Sequence, residues 1–387
     1  MPPTRLAGCS SEWEISIPRP RLAYDERRLE QLEASIRALP RVELAHLPTP
    51  LDAADRLSQA LGGPRILFKR EDATGLALGG NKTRMFELVL AEATEAGCEA
   101  VVASSAVQSN YLRQLAAACA RLGLECHLIL KRVRGDRDNE VQGGLLLDLL
   151  LGAKVRLFDG DWEALALEAE EEAERLRHQG KNVYLARSAN TSDLGLYAVA
   201  YCEVLVELIH QLKERDTAAD RLWIASSDTT QAGLALANKF LGSPWRISGV
   251  SPFGDAIDTQ TAMSEIANDA ADVLGLDTVV EPHEIENFLQ YAGAGYGIAT
   301  PQANSALELV ARNEGTLLDP VYTAKAMAGL IDKIEAGEVS ESETVVFVHT
   351  GGTPAVFAYP DELELSALSS QLSRGEWVQL GADAVAG

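Results

Sequence analysis

Short, continuous apolar runs alternate with longer amphipathic stretches along most of this chain. Residues 66–69, 100–104, 126–130, 154–158, 182–186, 222–225, 246–250 and 344–348 read as strands, with a further short strand expected over 278–280. Between them, apolar positions at helical spacing predict helices over 82–96, 108–122, 139–151, 161–179, 230–241, 257–274, 301–313 and 323–336. Another long helix, capped by Ser192, reaches about residue 213. Several of these end at a glycine (Gly97, Gly123, Gly152, Gly180), which closes a helix in left-handed backbone at no steric cost. Upstream, 24–39 is a charged helix stopped by Pro40, 47–50 a rigid Leu-Pro-Thr-Pro turn, and 55–61 a short helix. Strands that are apolar throughout are buried on both faces. The expected fold is therefore α/β, with mainly parallel twisted sheets covered by helices on both faces. Residues 1–24 carry Pro2, Pro3, Pro18 and Pro20 without a period and read as an irregular arm.

Composition narrows the partners. The chain has 387 residues, a formal net charge of -23 and a pI near 4.7, which argues against nucleic acid or an anionic membrane surface as the main partner. No apolar run is expected to cross a membrane, and the N-terminus lacks the apolar core of a secretory signal. Five cysteines without C-x-x-C spacing suit reduced thiols in a cytoplasm. The six histidines show no metal-ligand spacing, so no metal site is expected.

Candidate chemistry sits in loops that follow predicted strands, where open α/β sheets collect their ligands. Leu78-Gly79-Gly80-Asn81-Lys82 hands a strand over to a helix. The glycines let a flat ligand approach the backbone, and a lysine there can act as a partly desolvated nucleophile. A glycine-rich turn with a surface lysine satisfies the same residues. Ser104 to Tyr111 offers N–H groups and the Ser109 hydroxyl to an anion at a helix start, or a simple N-cap. Ser226 to Gly233 is placed alike and reads equally as a phosphate cradle or a cap, with Asp228 a poor neighbour for phosphate. His349-Thr350-Gly351-Gly352 closes the last strand. The G-x-G-x-G run at 293–297 lacks a preceding strand and is rejected as a dinucleotide site.

Taken together, these pieces resemble the fold-type II pyridoxal-phosphate enzymes, which are tryptophan synthase β-like. More closely, they resemble the D-cysteine desulfhydrase and 1-aminocyclopropane-1-carboxylate deaminase family. The resemblance spans roughly 47–359 and rests on Leu47-Pro-Thr-Pro-Leu51, Lys69-Arg-Glu-Asp72, Gly79-Gly-Asn-Lys82, Gln108-Ser-Asn110 with Arg113-Gln114, Asp319-Pro-Val-Tyr322 and His349-Thr-Gly-Gly352. It implies pyridoxal 5'-phosphate as cofactor, a small amino-acid substrate, and a homodimer. It implies a large cofactor-binding domain of 25–84 plus 191–387 and a small α/β domain of 85–190. Lys82 would be the Schiff-base lysine that also moves protons at the substrate Cα. Asn81, Asn110, Ser227, Thr229, Thr230 and Thr350 would hold the cofactor, with Asn110 at its ring oxygen and Thr350 at its pyridine nitrogen. Ser109, with Gln108, Asn110 and Tyr111, would bind the substrate. Tyr296 and Tyr322 would lie near it as acid–base or positioning groups.

The reaction implied is α,β-elimination from an amino acid with a β-leaving group, giving a 2-oxo acid and ammonia. Thr323 and Thr350 stand where cyclopropane deaminases resemble a carboxylate and a non-hydroxyl residue, which favours the desulfhydrase side. Tyr111 replaces the family's histidine, Ser104 and Ser105 its glycines, and Ser226, Asp228 and Thr229 the glycines of the phosphate loop. These departures suggest a divergent member acting on a different amino acid. β-Replacement, cyclopropane amino-acid deamination, racemisation and non-catalytic ligand binding remain the rival readings.

Overall fold

The computed structural model describes residues 23–186, 193–254, 258–363 and 373. Two sheets organise them. The larger has six strands: β1 (Leu51–Ala53), β2 (Arg65–Lys69), β7 (Arg221–Ala225), β8 (Arg246–Val250), β9 (Glu286–Phe288) and β10 (Thr344–Val348), in the spatial order β1-β2-β10-β7-β8-β9. The smaller has four: β3 (Ala100–Ala106), β4 (Glu125–Lys131), β5 (Lys154–Phe158) and β6 (Val183–Leu185), in the order β5-β4-β3-β6. Every pairing is parallel except β1 with β2, where Leu51 faces Lys69 and Ala53 faces Leu67. That edge strand immediately follows the Leu-Pro-Thr-Pro turn, and three residues are too few to show a period.

Eleven helices accompany the sheets among the described residues: α1 (Glu26–Arg37), α2 (Asp55–Ala60), α3 (Lys82–Glu95), α4 (Asn110–Leu122), α5 (Gly143–Leu150), α6 (Trp162–His178), α7 (Asp193–Glu214), α8 (Thr229–Leu241), α9 (Thr259–Leu274), α10 (Pro301–Glu314) and α11 (Thr323–Glu335). Their starts follow local capping chemistry. Ser109 accepts from the Leu112 N–H at 3.3 Å, so α4 begins at Asn110, two residues later than its periodicity suggests. Helix α5 begins four residues later than expected. The Asp138 carboxylate takes the N–H groups of Val133 and Arg134 and folds 135–139 into a separate 3₁₀ turn, and Gly143 enters α5 at φ +57°. The Ser192 cap expected for α7 lies outside the described residues.

Two expectations are corrected. Residues 278–280 form no strand: both main-chain groups of Val280 bond to the side chain of Asn268 on α9, and the sheet edge is built instead by β9. Helix α7 is also long and apolar enough to cross a membrane by length and composition. It is a core helix, mostly buried and packed against α3, α8 and α9. Cys98, Cys119, Cys126 and Cys202 are free thiols, as their spacing implied.

Candidate active site

Lys82 is the first residue of α3, and its position is fixed from several sides. Gly79 lies at φ +72° and Gly80 at φ +133°; a Cβ on Gly79 would sit 1.7 Å from the Asp72 carbonyl oxygen. The Thr74 hydroxyl accepts from the Gly80 N–H at 2.9 Å and donates to the Gly80 carbonyl at 2.8 Å. Arg113 donates to the Gly79 carbonyl at 2.7 Å and to the Ala77 carbonyl, while Gln114 accepts from the N–H and hydroxyl of Thr83 at 2.8 and 2.9 Å. Two residues further on, Arg84 is fully buried and bonds Glu71 and Glu207; Lys69 completes that network through Glu207, Gln211 and the Thr49 carbonyl. A guanidinium satisfied in this way clamps the first turn of α3 onto β2 and α7.

The loops singled out in the sequence converge on this lysine. The Lys82 side chain is 15% exposed, and its Nζ lies 3.2 Å from Thr230 Oγ1 and 3.8 Å from Asp228 Oδ1. Asn81 donates to the same Thr230 hydroxyl at 3.1 Å, tying the α3 start to the α8 start. The Thr350 carbonyl accepts from the Asn81 N–H at 3.0 Å and from Asn110 Nδ2 at 3.1 Å, joining three loops at one oxygen. Packing there is backbone on backbone, since a Cβ on Gly351 would lie 2.7 Å from the Gly80 Cα. His349 sets the turn: Nε2 lies 3.1 Å from the Leu317 carbonyl and Nδ1 accepts from Gly351 N at 3.3 Å, which assigns the neutral Nε2–H tautomer. Burial holds its imidazole below the ordinary value, against the pull of Asp72.

A tyrosine pair joins the 293–297 turn to the start of α11. The hydroxyls of Tyr296 and Tyr322 bond each other directly, with ring centroids 5.7 Å apart. The Ser109 hydroxyl and the Asn110 N–H reach the Tyr322 oxygen as well. Burial pushes Tyr322 up to about 12, against those hydrogen bonds, and raises Tyr296 further. Both phenols are therefore protonated near neutral pH and serve as hydroxyl donors. Asp319 holds the α11 start by accepting from the N–H groups of Val321, Tyr322 and Thr323 at 2.9 Å each, and from the Thr323 hydroxyl at 2.6 Å. The hydroxyl of Thr323 is thus turned onto Asp319.

Not every sequence candidate points inward. Gln108 accepts from Gly144 N at 2.7 Å and donates to the Gln142 carbonyl, which secures the start of α5. Tyr111 is buried with its ring 5.1 Å from that of Phe86, inside the large apolar core. Thr229 is buried and donates to Asp228 at 3.3 Å, while Ser227 is half-buried beside it. Sequence reading missed Phe253 and Trp162, which pack on Tyr296 at centroid distances of 4.4 and 5.8 Å. It also missed Tyr201, whose ring lies 5.5 Å from Lys82 Nζ. No local signal marks these residues, because each contact joins segments far apart in the chain.

The sheet ends thus present a nearly buried amine beside the start of α8, and a pair of hydrogen-bonded phenols where the 293–297 turn meets the start of α11. A lysine confined at a helix start in this way suits the active site of an α/β enzyme. The family description "Pyridoxal-phosphate dependent enzyme" matches residues 42–351, and the chain belongs to that family. It is 37% identical to the D-cysteine desulfhydrase of Klebsiella pneumoniae subsp. pneumoniae over 327 residues, covering 84% of this chain and 97% of that one. The crystal structure of an ACC deaminase homologue superposes with a TM-score of 0.76 at 30% identity, covering 86% of this chain and 98% of that one. The processed form of threonine deaminase isoform 2 from Solanum lycopersicum shares the fold at a TM-score of 0.61 and 19% identity, covering 91% of this chain and 96% of that one.

The residues present fit the family's cofactor. Asn81 Oδ1 is buried without a hydrogen-bond partner, next to Lys82. The N-cap of α8, Asp228, makes no side-chain capping bond; within the first turn the Gln231 N–H is taken by the Ser226 hydroxyl at 3.1 Å, and no side chain caps the Thr229 and Thr230 N–H groups among the described residues. Thr229 and Thr230 add hydroxyls there. The one discordant group is the Asp228 carboxylate, a quarter exposed and facing Lys82.

Proposed function

We propose that this enzyme is a pyridoxal-phosphate-dependent carbon–heteroatom lyase. It eliminates the β-substituent of a small amino acid, in the manner of D-cysteine desulfhydrase, and the 2-aminoacrylate released takes up one water to give a 2-oxo acid and ammonia. The observation that carries this reading is Lys82 Nζ, 3.2 Å from Thr230 Oγ1 at the start of α8 and confined by the Gly79–Gly80 turn.

When bound, the cofactor supplies an electron sink for the pair left at Cα as its proton departs. The chain's own residues do the rest. Thr229, Thr230, Ser227 and the first N–H groups of α8 would hold the phosphate, with Asn81 and Asn110 steadying the ring from the α3 and α4 starts and Thr350 beside it. The α4 start, with Ser109 as its cap, would bind the substrate carboxylate through N–H and hydroxyl donors. Gln108 and Tyr111 would support this loop from behind. Lys82 would carry the cofactor covalently and take the Cα proton. The paired phenols, protonated near neutral pH, would place a hydroxyl proton at the departing β-substituent. The strands within 100–185 and the helices beside them would form a small domain against the larger cofactor-binding one. A homodimer working in the cytoplasm on a small amino acid, without nucleic-acid or membrane partners, completes the reading. The net charge of -23 and the free thiols support it.

The test is the absorption spectrum of the purified protein before and after borohydride, with mass analysis of the Lys82 peptide. A visible band that bleaches and leaves the reduced cofactor on Lys82 is expected, together with loss of turnover in Lys82→Ala. Wild-type turnover in that variant would sink the mechanism. Asp228, 3.8 Å from Lys82 Nζ, favours a second reading, a non-catalytic protein binding another ligand on the same fold. That reading predicts no visible band even after pyridoxal phosphate is added.

A further inference from the structure

Lys325 stands on the first turn of α11, three residues beyond Tyr322, and its side chain is 0% exposed. Its ammonium donates to the carbonyls of Ala292 at 2.7 Å and Gly295 at 2.9 Å. Those carbonyls bracket the Gly293-Ala294-Gly295 turn that delivers Tyr296. The turn has little structure of its own: Gly293 is at φ +69° and Gly295 at φ +137°, and its own main-chain ties are the long Ala292-to-Leu289 and Ile298-to-Gly295 bonds of 3.4 and 3.3 Å. The base of the same segment lies along α11, since the Tyr291 ring packs where a Cβ on Gly329 would sit 2.9 Å away. Asp319 is the carboxylate that acts on Lys325, from a distance; the hydrogen-bond partners are neutral carbonyls. A fully buried ammonium on two main-chain oxygens is costly to place and hard to move.

We propose that Lys325 is a positioning residue for the elimination reaction. From the helical turn that presents Tyr322, it holds the loop that presents Tyr296, so that one helix start sets both phenols of the pair. Tyr322 is the N-cap of α11 and Lys325 lies three residues on in its first turn, so a shift of this one helix start moves both the Tyr322 phenol and the Lys325 tie. The inference rests on the lyase reading above, in which the pair faces the substrate.

The experiment compares wild type, Lys325→Met, Lys325→Arg, Tyr296→Phe and the double variant Lys325→Met/Tyr296→Phe, each as the full chain loaded with pyridoxal phosphate. Hydrogen–deuterium exchange of the 290–298 peptide is read beside kcat and KM for a β-substituted amino acid and beside the borohydride-sensitive absorption band. Lys325→Met is expected to speed exchange in 290–298 while α11 amides and the band stay as in wild type. Its kcat should fall about tenfold or more with KM changed by less than about threefold, as expected when a reacting group is displaced while substrate binding is left intact. The double variant should be no slower than Tyr296→Phe alone. Lys325→Arg keeps charge and donors and decides the matter if the methionine variant does not fold: loop exchange and kcat must then be kept together or lost together. A change in one without the other, in either folded Lys325 variant, overturns the proposal, as does full additivity in the double variant. A missing band in the wild type refutes the lyase reading instead, and the exchange result is read independently of it.

Discussion

Asp148, on the face of α5 turned toward α4, provides a quantitative test of the structure. Its side chain is buried, and its Oδ1 has no hydrogen-bond partner among the described residues. Burial pushes the carboxyl from 3.8 up to about 7, against the pull of Arg113. Burial likewise lowers Arg113 to about 10, so neither charge is well solvated by the other. For an acid whose value is raised by folding, the unfolded chain releases its proton first. The stability contributed by the protonated form is then fully present below about pH 4 and lost as pH rises through about 7. Each unit between the two states is worth about 1.4 kcal/mol, so the loss sums to about 4 kcal/mol by pH 8. Asp148→Asn cannot ionise, and urea unfolding at pH 4, 5, 6, 7 and 8 should show a flatter profile for it than for wild type. The two proteins should be nearest in stability at pH 4, and the variant increasingly the more stable above that. Parallel profiles, or a variant that loses ground as pH rises, would refute the placement of an unpaired carboxyl inside this interface.

Three further outcomes follow from the same packing. Gly79→Ala should destabilise the chain and sharply reduce turnover, because φ +72° is retained against a Cβ that would sit 1.7 Å from the Asp72 oxygen; thermal unfolding and kcat check it. Glu207→Gln leaves Lys69 and Arg84 buried with Glu71 and, 3.6 Å from Arg84, Glu203 to balance them and should cost about 3–5 kcal/mol in urea unfolding, while Glu207→Gln combined with Lys69→Met should recover part of that. Burial depresses the His349 imidazole below 6.5, so the stability it contributes is complete above pH 6.5 and declines as pH falls from there toward its folded value; His349→Asn should flatten that part of the acid limb in a thermal scan.

How much of this could be read in advance differs from element to element. Strands β8 and β10 were legible to the residue because runs such as Thr344–Val348 are apolar on both faces and too short for a helix, and β5 because Lys154-Val155-Arg156-Leu157 alternates polar and apolar positions. The 278–280 segment failed because a β-branched triplet is compatible with a strand, while the competing donor and acceptor on Asn268 lie twelve residues away in sequence. In the site, Lys82, Asn110, Thr230 and Thr350 were legible as loops after strands, a place that topology makes convergent. Tyr111 and Gln108 were legible as members of a motif but not in direction: one turns into the core beside Phe86 and the other caps α5. Lys325 carried no signal at all, since a lysine on an amphipathic helix normally faces solvent.

The sequence by itself determined the alternation of strands and helices, the loops that can carry chemistry, and the ordered motifs that mark the family. These depend on periodicity and on backbone conformations that neighbouring residues impose on one another. Tertiary structure alone decided which side chains meet. The bond from Asn81 to Thr230 spans 149 residues and that from Asn110 to Thr350 spans 240, and no local preference encodes contacts of that reach. The first forms because the parallel sheet order brings the ends of β2, β10 and β7 side by side, and the second because the start of α4, after β3 of the smaller sheet, packs on the end of β10; burial then leaves each polar group only the partners that the packing supplies.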